Sequence, residues 1–336
     1  MKLKDHNVIK LPSPHFHQSH SVTIAGNDDG DLVRSICLFG GCRSPFVSKP
    51  IRFDDGVEVS QYSCQDLSDS NMVLAPETDG YVIEEKAPMP RPRYRHSSVA
   101  INGKIWIVGG RDENDAIVNN FDIYDELYNK WSIINDGLDS IKIPGRTDYT
   151  YGISDHCSFA FGDLLFIVGG FDQNYESLKY VIAIQTTESI EQNRLVYSIR
   201  SPMNVPRGSC GVTTVGEFAF VAGGFTNEDG YCEAMQSSDV YDPKRDQWNL
   251  LSAPLKYGRA RPSLVYLDHK IFIFGGEKRG EFDSSSGKCK GEERFRRIEQ
   301  NKMLPNRLTF PVESAEVMMV EDNEFSLSSW RVLEVS

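Results

Sequence analysis

Arginine is the residue whose repeated placement in this sequence could carry out recognition chemistry. Five arginines shortly precede an apolar segment and three follow the Gly-Gly pair that ends one: Arg93, Arg95, Arg207, Arg259 and Arg261 in the first group, Arg43, Arg111 and Arg279 in the second. The planar guanidinium group suits bidentate contact with a carboxylate or a phosphate. If the fold brings these side chains together, they form a positive site for an acidic ligand. The alternative is that they cover strand edges and pair with nearby Asp or Glu.

Two of these arginines occupy matching positions. Arg95 lies 14 residues before Gly109, and Arg261 lies 14 residues before Gly275. Each glycine is the first of a Gly-Gly pair that closes an apolar run. We therefore expect the two side chains to sit at equivalent places in two copies of one structural unit.

Those units are repeats, each marked by a Gly-Gly pair. Five apolar runs close on such a pair: Gly40-Gly41, Gly109-Gly110, Gly169-Gly170, Gly223-Gly224 and Gly275-Gly276. The spacing of about 50–70 residues is typical of repeat proteins in which small sheets stack on their neighbours. The runs are apolar at nearly every position, which predicts strands covered on both faces.

Each repeat can be divided into four strands. A first strand starts at a small or polar residue, and a tight turn such as Asn102-Gly103 leads to the apolar run. A third strand holds Tyr124 or Tyr241, and a fourth opens with Trp131 or Trp248, seven residues later in both repeats. Trp330 marks the last repeat. Only residues 292–299 favour a turn or two of helix. Four antiparallel strands per repeat, arranged radially, predict an all-β propeller with five blades, or six if a degenerate blade is present.

The Gly-Gly, Tyr and Trp pattern resembles the kelch repeat, from about residue 15 to residue 333. Residues 91–144 and 200–254 match it almost completely. The competing WD40 pattern is excluded, because neither a Gly-His nor a Trp-Asp dipeptide occurs. We divide the chain into residues 1–14, which could supply an extra strand, and a propeller at 15–336 with a long insertion at 277–311.

The resemblance implies roles for the repeated residues. In kelch propellers the glycines, tyrosines and tryptophans are structural, which applies here to the five Gly-Gly pairs, Tyr124, Trp131, Tyr241, Trp248 and Trp330. Partner peptides of such propellers dock on the loops after Gly-Gly and on the links between blades. Arg95 and Arg261 match the position where arginines read acidic peptides in kelch adaptors of ubiquitin ligases. The segment from Arg111 to Asn114 resembles the Gly-Gly-Arg loop of those adaptors.

The composition limits the classes of partner. A formal charge of -12 and a pI near 5.1 oppose binding to nucleic acid without a local basic patch. No apolar stretch is long enough to span a membrane, and the N-terminus lacks the apolar core of a secretory signal. The seven cysteines form no C-x-x-C pair, so they indicate neither a disulfide framework nor a zinc ribbon. These features predict a cytoplasmic protein.

Cofactors and catalysis find little support. His15, His17 and His20 could offer imidazoles to a metal, but no second ligand cluster accompanies them, so we expect no metal and no cofactor. The strand order predicts no convergence of nucleophile, base and orienting group. The sequence thus predicts a non-catalytic protein-binding module for an acidic or phosphorylated segment. The resemblance to kelch adaptors implies a specific role in recruiting substrates to a cullin-RING ubiquitin ligase, although no BTB or F-box segment is recognised. The alternatives are an actin or cytoskeletal scaffold, and a sugar-acid isomerase in which Arg95, Arg111 and Arg261 grip a carboxylate.

Overall fold

The computed structural model describes most of the repeat region. The described residues are 21–25, 35–43, 47–52, 58–64, 66–77, 80–145, 151–226, 234–278, 282–283, 288–289, 310–312, 314–320 and 330–333. Arg279, the histidines at 15, 17 and 20, and the helix expected at 292–299 lie outside them.

Five four-stranded antiparallel sheets account for the repeats, which confirms the predicted five-bladed propeller. Blade 1 consists of β1 Ser21–Ala25, β2 Ser35–Phe39, β5 Asn71–Glu77 and β6 Gly80–Glu85. Blade 2 consists of β7 Ser97–Ile101, β8 Lys104–Val108, β9 Asp122–Asp125 and β10 Lys130–Ile133. Blade 3 consists of β11 Cys157–Phe161, β12 Leu164–Val168, β13 Val181–Gln185 and β14 Tyr197–Arg200. Blade 4 consists of β15 Gly211–Val215, β16 Phe218–Ala222, β17 Ser238–Asp242 and β18 Gln247–Leu250. Blade 5 consists of β19 Ser263–Leu267, β20 Lys270–Phe274, β25 Ala315–Met319 and β26 Arg331–Leu333.

The first strand of each blade lies nearest the propeller axis. The inner strands pack side by side in chain order, β1 beside β7, then β11, β15 and β19. Each inner strand turns back into the apolar run that ends at Gly-Gly. The loops after Gly-Gly and the links between blades therefore lie on one side of the propeller, which we call the loop face.

Several additions interrupt the simple pattern. A separate hairpin of β3 Val47–Arg52 and β4 Glu58–Ser63 lies between β2 and β5 in the chain. The short strands β21 Glu277–Lys278, β22 Phe282–Asp283, β23 Lys288–Cys289 and β24 Phe310–Pro311 belong to the predicted insertion. Blade 3 carries the helix α1 Thr186–Gln192, which the sequence analysis missed. Seven residues are too few to show a helical apolar period against strand patterns on either side. No helix in these described ranges is long and apolar enough to cross a membrane.

The tyrosines and tryptophans of the repeat pack against each other and against the preceding blade. The rings of Tyr124 and Trp131 lie 4.9 Å apart, and those of Tyr241 and Trp248 lie 4.7 Å apart. Trp131 Nε1 donates to Ala87 O at 2.8 Å, and Trp248 Nε1 donates to Ser201 O at 2.9 Å. Both indoles therefore tie the fourth strand to the segment entering the same blade.

The Gly-Gly pairs allow one blade to approach the next. All ten glycines have positive φ, and at Gly109 an added Cβ would lie 2.4 Å from Ile153 O of the next blade. That carbonyl accepts the N–H of Gly110 at 2.9 Å. A side chain at Gly109 would therefore separate the blades as well as strain the backbone.

The cysteines differ from the sequence-based expectation. Two disulfides are present, Cys42–Cys64 and Cys157–Cys210, with Cα–Cα distances of 5.9 and 6.0 Å. The second pair spans 53 residues and joins the inner edges of blades 3 and 4. Spacing along the chain could not reveal this pair, because repeat stacking rather than local sequence brings the two residues together.

Candidate partner-binding site

Four residues at one repeat position form a ring around the propeller axis. Arg95, Asp155, Ser209 and Arg261 each lie 14 residues before the first glycine of their blade. All four have left-handed φ values, between 52° and 58°. The N–H of Asp155 donates to Arg95 O at 2.8 Å, that of Ser209 to Asp155 O at 2.6 Å, and that of Arg261 to Ser209 O at 2.7 Å. We call these four residues the axial ring.

Asp155 lies between the two arginines of the axial ring. Its Oδ1 accepts from Arg261 Nη2 at 3.0 Å, and its Oδ2 lies 3.7 Å from Arg95 Nη1. Burial alone would raise the pKa of Asp155, but the charges of Arg95 and Arg261 outweigh it and lower that pKa. Asp155 is therefore ionised at neutral pH and cancels part of the positive charge.

The two arginines differ in exposure. The Arg95 side chain is 14% exposed, and its Nη1 donates to the hydroxyl of Tyr175 at 3.1 Å. The Arg261 side chain is 36% exposed, and its Nη1 pairs with Glu277 at the base of the insertion. Arg261 is thus the more accessible cation of the axial ring.

Arg111 joins the loops of blades 2 and 3 from the inside. It is fully buried and donates to Ser154 Oγ at 2.9 Å, to Asp115 O at 2.8 Å and to Asp172 O at 2.5 Å. Its Cζ also lies 3.8 Å from the centre of the Tyr175 ring. Because every arm of the guanidinium group is occupied, we assign Arg111 a structural role instead of the predicted contact with a partner.

Three other predicted binding residues are also interior. Arg93, Arg207 and Arg259 each lie 16 residues before a first glycine and are fully buried. Each donates to the carbonyl of that glycine, at 3.1, 3.2 and 2.9 Å respectively. Each also pairs with a buried carboxylate of the third strand of its blade: Asp122, Asp239 and Glu316.

These buried pairs hold the link between blades against the third strand. Burial lowers the pKa of Arg93 to about 10 and raises that of Asp122, although each charge opposes the shift in its partner. We therefore assign all three arginines to the fold and leave them out of the binding surface.

The remaining predicted binding residues lie further out. Arg43 is exposed and lies 4.0 Å from Asp66 and 3.9 Å from Asp69. Asn114 is exposed on the loop after Gly110, where its N–H donates to Asp112 Oδ1 at 2.8 Å.

The repeat offset could have revealed Asp155 and Ser209. The offset of 14 residues that marks Arg95 and Arg261 also reaches Asp155 and Ser209 when it is counted from Gly169 and Gly223. Another repeat position contributes Asp115 and Tyr175, which lie five residues after Gly110 and Gly170 respectively. The Tyr175 hydroxyl donates to Asp115 Oδ2 at 2.7 Å. The site is therefore of mixed charge and not a plain cluster of arginines.

A serine–histidine contact lies between blades 2 and 3. His156 Nε2 lies 2.7 Å from Ser97 Oγ, but burial lowers the pKa of His156 to about 4. A general base works best with a pKa near the operating pH, so this histidine is poorly suited to activate a nucleophile. In the described part of the chain, no group of three or more His, Cys, Asp or Glu could hold a metal ion.

Five four-stranded blades, with Gly-Gly after the second strand and Tyr and Trp on the outer strands, define a kelch-type β-propeller. The family model of the KLHDC2/KLHL20/DRC7 Kelch-repeats domain matches residues 19–276. The chain therefore belongs to this kelch-repeat family.

Curated relatives share the repeats at modest identity. Kelch-like protein 36 of Bos taurus is 25% identical over 268 residues, covering 66% of this chain and 41% of the relative. Kelch domain-containing protein 3 of Rattus norvegicus is 26% identical over 207 residues, covering 58% of this chain and 50% of the relative. Beta-scruin of Limulus polyphemus is 28% identical over 198 residues, covering 56% of this chain and 19% of the relative. The chain thus spans half or less of the length of these relatives.

A solved structure shares the fold. The structure of YjhT superimposes with a TM-score of 0.60 and 14% identity, covering 90% of this chain and 82% of YjhT. At this identity the similarity concerns the architecture alone.

Proposed function

We propose that this chain is a non-catalytic protein-binding propeller whose partner docks on the loop face around the axial ring. The observation that carries the proposal is Arg261, an arginine of the axial ring that is 36% exposed and already bound to acidic side chains. A carboxylate or phosphate of the partner would take the place of Glu277 at Arg261 Nη1. Arg95 does not contact the partner in this proposal; it pairs with Asp155, which in turn pairs with Arg261.

The partner segment in this proposal carries an acidic or phosphorylated group beside hydrogen-bond donors. Asp155 and Glu277 offset the charges of Arg95 and Arg261, so an isolated anion gains little net Coulomb attraction there. A partner segment that places a carboxylate or phosphate on Arg261 and a hydrogen-bond donor on Glu277 would satisfy both side chains. Such pairing favours specificity over raw affinity.

Selection from a displayed library of random peptides tests this site. We expect enriched sequences to contain Asp or Glu, and binding to fall at least about tenfold in Arg261→Gln. Arg245→Gln is the matched control, because Arg245 is 76% exposed in the turn between β17 and β18, away from the loop face. Equal binding by both variants, or no acidic enrichment, would show that Arg261 is not the contact.

Recruitment of substrates to a cullin-RING ubiquitin ligase is the specific role that we propose within this class. Support comes from the family and from relatives named Kelch-like protein 36 and Kelch domain-containing protein 3. Co-precipitation of the natural full-length protein with cullin subunits tests it. Co-sedimentation with filamentous actin tests the scaffold alternative, and turnover of sugar acids tests the isomerase.

A cytoplasmic location is also part of this proposal. The two disulfides of the structure oppose this location and provide its test, because structural disulfides persist in oxidising compartments and are rare in the cytosol. Alkylation of cell extracts followed by mass spectrometry would find Cys157 and Cys210 reduced in a cytoplasmic protein. Oxidised cysteines would contradict this location.

A further inference from the structure

The inner strands of neighbouring blades meet at a repeated contact next to the axial ring, which we call the inner joint. It pairs the residue 12 positions before the first glycine of one blade with the residue 13 positions before that of the next. Between blades 2 and 3 these are Ser97 and His156, whose Oγ and Nε2 lie 2.7 Å apart. Between blades 4 and 5 they are Gly211 and Pro262, and an added Cβ on Gly211 would lie 2.9 Å from Pro262 O. Non-covalent contacts close both of these inner joints.

The inner joint between blades 3 and 4 holds a disulfide instead. Cys157 and Cys210 stand at the same two offsets and are bonded to each other. The strands β11 and β15 pack side by side like the other inner strands. The covalent bond is therefore added to a contact that the fold makes without one elsewhere. Breaking it should leave the blades in place and change how firmly they are joined.

The disulfide adjoins the bond of the axial ring that crosses the same two blades. Cys157 lies two residues after Asp155, and Cys210 directly follows Ser209. The Ser209 N–H donates to Asp155 O at 2.6 Å, and Ser209 Oγ donates to Asp155 Oδ1 at 3.3 Å. The same Oδ1 accepts from Arg261. The disulfide thus fixes the segment that carries the carboxylate partner of Arg261.

The two sulfurs differ in access to a reductant. Cys157 is 3% exposed, whereas Cys210 is half-buried. Cys37, a free cysteine of blade 1, is a poor competitor for exchange, because burial raises the pKa of its thiol to about 12. A thiolate from outside the protein therefore meets Cys210 first.

We propose that the Cys157–Cys210 pair is a redox-controlled lock on the axial ring, closed as the disulfide and open as two thiols. A thiolate of a dithiol reductant bonds to Cys210 Sγ and displaces Cys157. The second thiol of the reductant then displaces Cys210, and the reductant leaves as a cyclic disulfide. Two electrons and two protons pass to the cysteines. Hydrogen peroxide closes the lock again: the thiols lose two electrons and two protons, and the peroxide becomes two molecules of water.

The lock also regulates partner docking, a step that rests on the proposed function. With the inner joint open, the segment of Asp155 is held to blade 4 by hydrogen bonds alone. The partner then has to order this part of the axial ring as it binds to Arg261, and that ordering lowers its affinity. The disulfide form is therefore the form that binds more tightly.

Amide hydrogen exchange of the full chain, followed by NMR, tests the lock without a partner. We expect the Ser209 amide to exchange at least about tenfold faster in the dithiol-reduced protein than in the oxidised one. The Asp155 amide is the matched control and should keep its rate. It donates to Arg95 O at 2.8 Å across blades 2 and 3, where the inner joint of Ser97 and His156 contains no disulfide. Equal Ser209 rates in both forms, or an equal rise at both amides, would overturn the proposal.

Cysteine variants assign the effect to one pair. Cys157→Ser combined with Cys210→Ser should show the fast Ser209 exchange without any reductant. Cys42→Ser combined with Cys64→Ser removes the disulfide of blade 1 and should keep the natural response to dithiol. Loss of the response in this second variant would contradict the lock. So would a Cys157–Cys210 bond that alkylation and mass spectrometry find intact in the folded protein after dithiol treatment.

Binding of the acidic peptides selected from the displayed library tests the step to function. We expect dithiol to weaken binding at least about fivefold in the natural protein and to have no effect in the variant without Cys157 and Cys210. Equal affinity in both redox forms would refute control of docking. Peptides that bind neither form would refute the proposed function itself, whereas the exchange of the Ser209 amide decides the lock independently.

Discussion

Asp155 accepts a hydrogen bond of 3.0 Å from Nη2 of Arg261, which lies 106 positions later in the sequence. Both residues stand at the same offset from the Gly-Gly pair of their blades, so the repeat that aligns two arginines also places a carboxylate with them. The loop face thus presents paired charges at the axis, and Arg261 is the more exposed of the two arginines.

Loss of the Asp155 charge should destabilise the protein. Asp155→Asn leaves the largely buried Arg95 without its carboxylate, which we expect to cost about 3–5 kcal/mol in the free energy of unfolding. Urea denaturation measures the change. Asp268→Asn is the control, since the Asp268 side chain is 79% exposed beside Lys270 and its loss should cost under about 1 kcal/mol. A cost for Asp155→Asn no larger than the control would contradict the role of Asp155.

The buried pair of Arg259 and Glu316 should behave as a unit. Arg259→Met leaves Glu316 buried without its cation, at an expected cost of about 3–5 kcal/mol. Adding Glu316→Leu should recover part of that loss, because no uncompensated charge remains, although the N–H groups of Lys256 and Tyr257 lose the carboxylate that accepts from them. Urea denaturation of the single and double variants gives the coupling energy. A double variant as unstable as Arg259→Met would show that packing, and not charge pairing, dominates there.

The first glycine of a pair should tolerate substitution less well than a turn glycine. Gly109→Ala adds both left-handed strain and a clash with Ile153 O, whereas Gly103→Ala adds strain alone, because nothing lies within 4 Å of its added Cβ. We expect about 1–2 kcal/mol for Gly103→Ala and at least about 2 kcal/mol more for Gly109→Ala. Thermal and urea unfolding measure both, and similar losses would argue against the close approach of blades.

Acidification should destabilise the protein through His156. Burial lowers the pKa of His156 from 6.5 to about 4, so the unfolded chain binds a proton between these pH values while the folded protein does not. The contribution of His156 to the free energy of unfolding is therefore fully present above pH 6.5. It falls by on the order of 3 kcal/mol as the pH drops towards 4.

Urea unfolding at pH 7, 6 and 5 should show this slope in the natural protein and a smaller one in His156→Gln. His269→Gln, in the exposed turn before β20, is the control and should keep the natural slope. An unchanged slope in His156→Gln would assign the pH dependence to other groups.

Local patterns were sufficient to predict the blades. The apolar runs, the turn at Asn102-Gly103 and the Tyr-to-Trp spacing each specify one strand or one strand pair, and the five sheets agree with them. The helix at Thr186–Gln192 and the two disulfides were missed. A seven-residue helix has too little periodicity to detect, and Cys157 meets Cys210 only after two blades have stacked.

The arginines show most clearly where sequence reasoning ends. The sequence by itself determined the repeat, the blade and the offset of each arginine from its Gly-Gly pair. It could not determine burial, because Arg93 and Arg95 are two positions apart, yet Arg93 enters the blade to meet Asp122 while Arg95 meets Asp155 at the axis. Only the tertiary structure decided which arginines are interior, since their carboxylate partners come from other strands and other blades. The physical reason is that the cost of burying a charge depends on the partners that the fold brings to it.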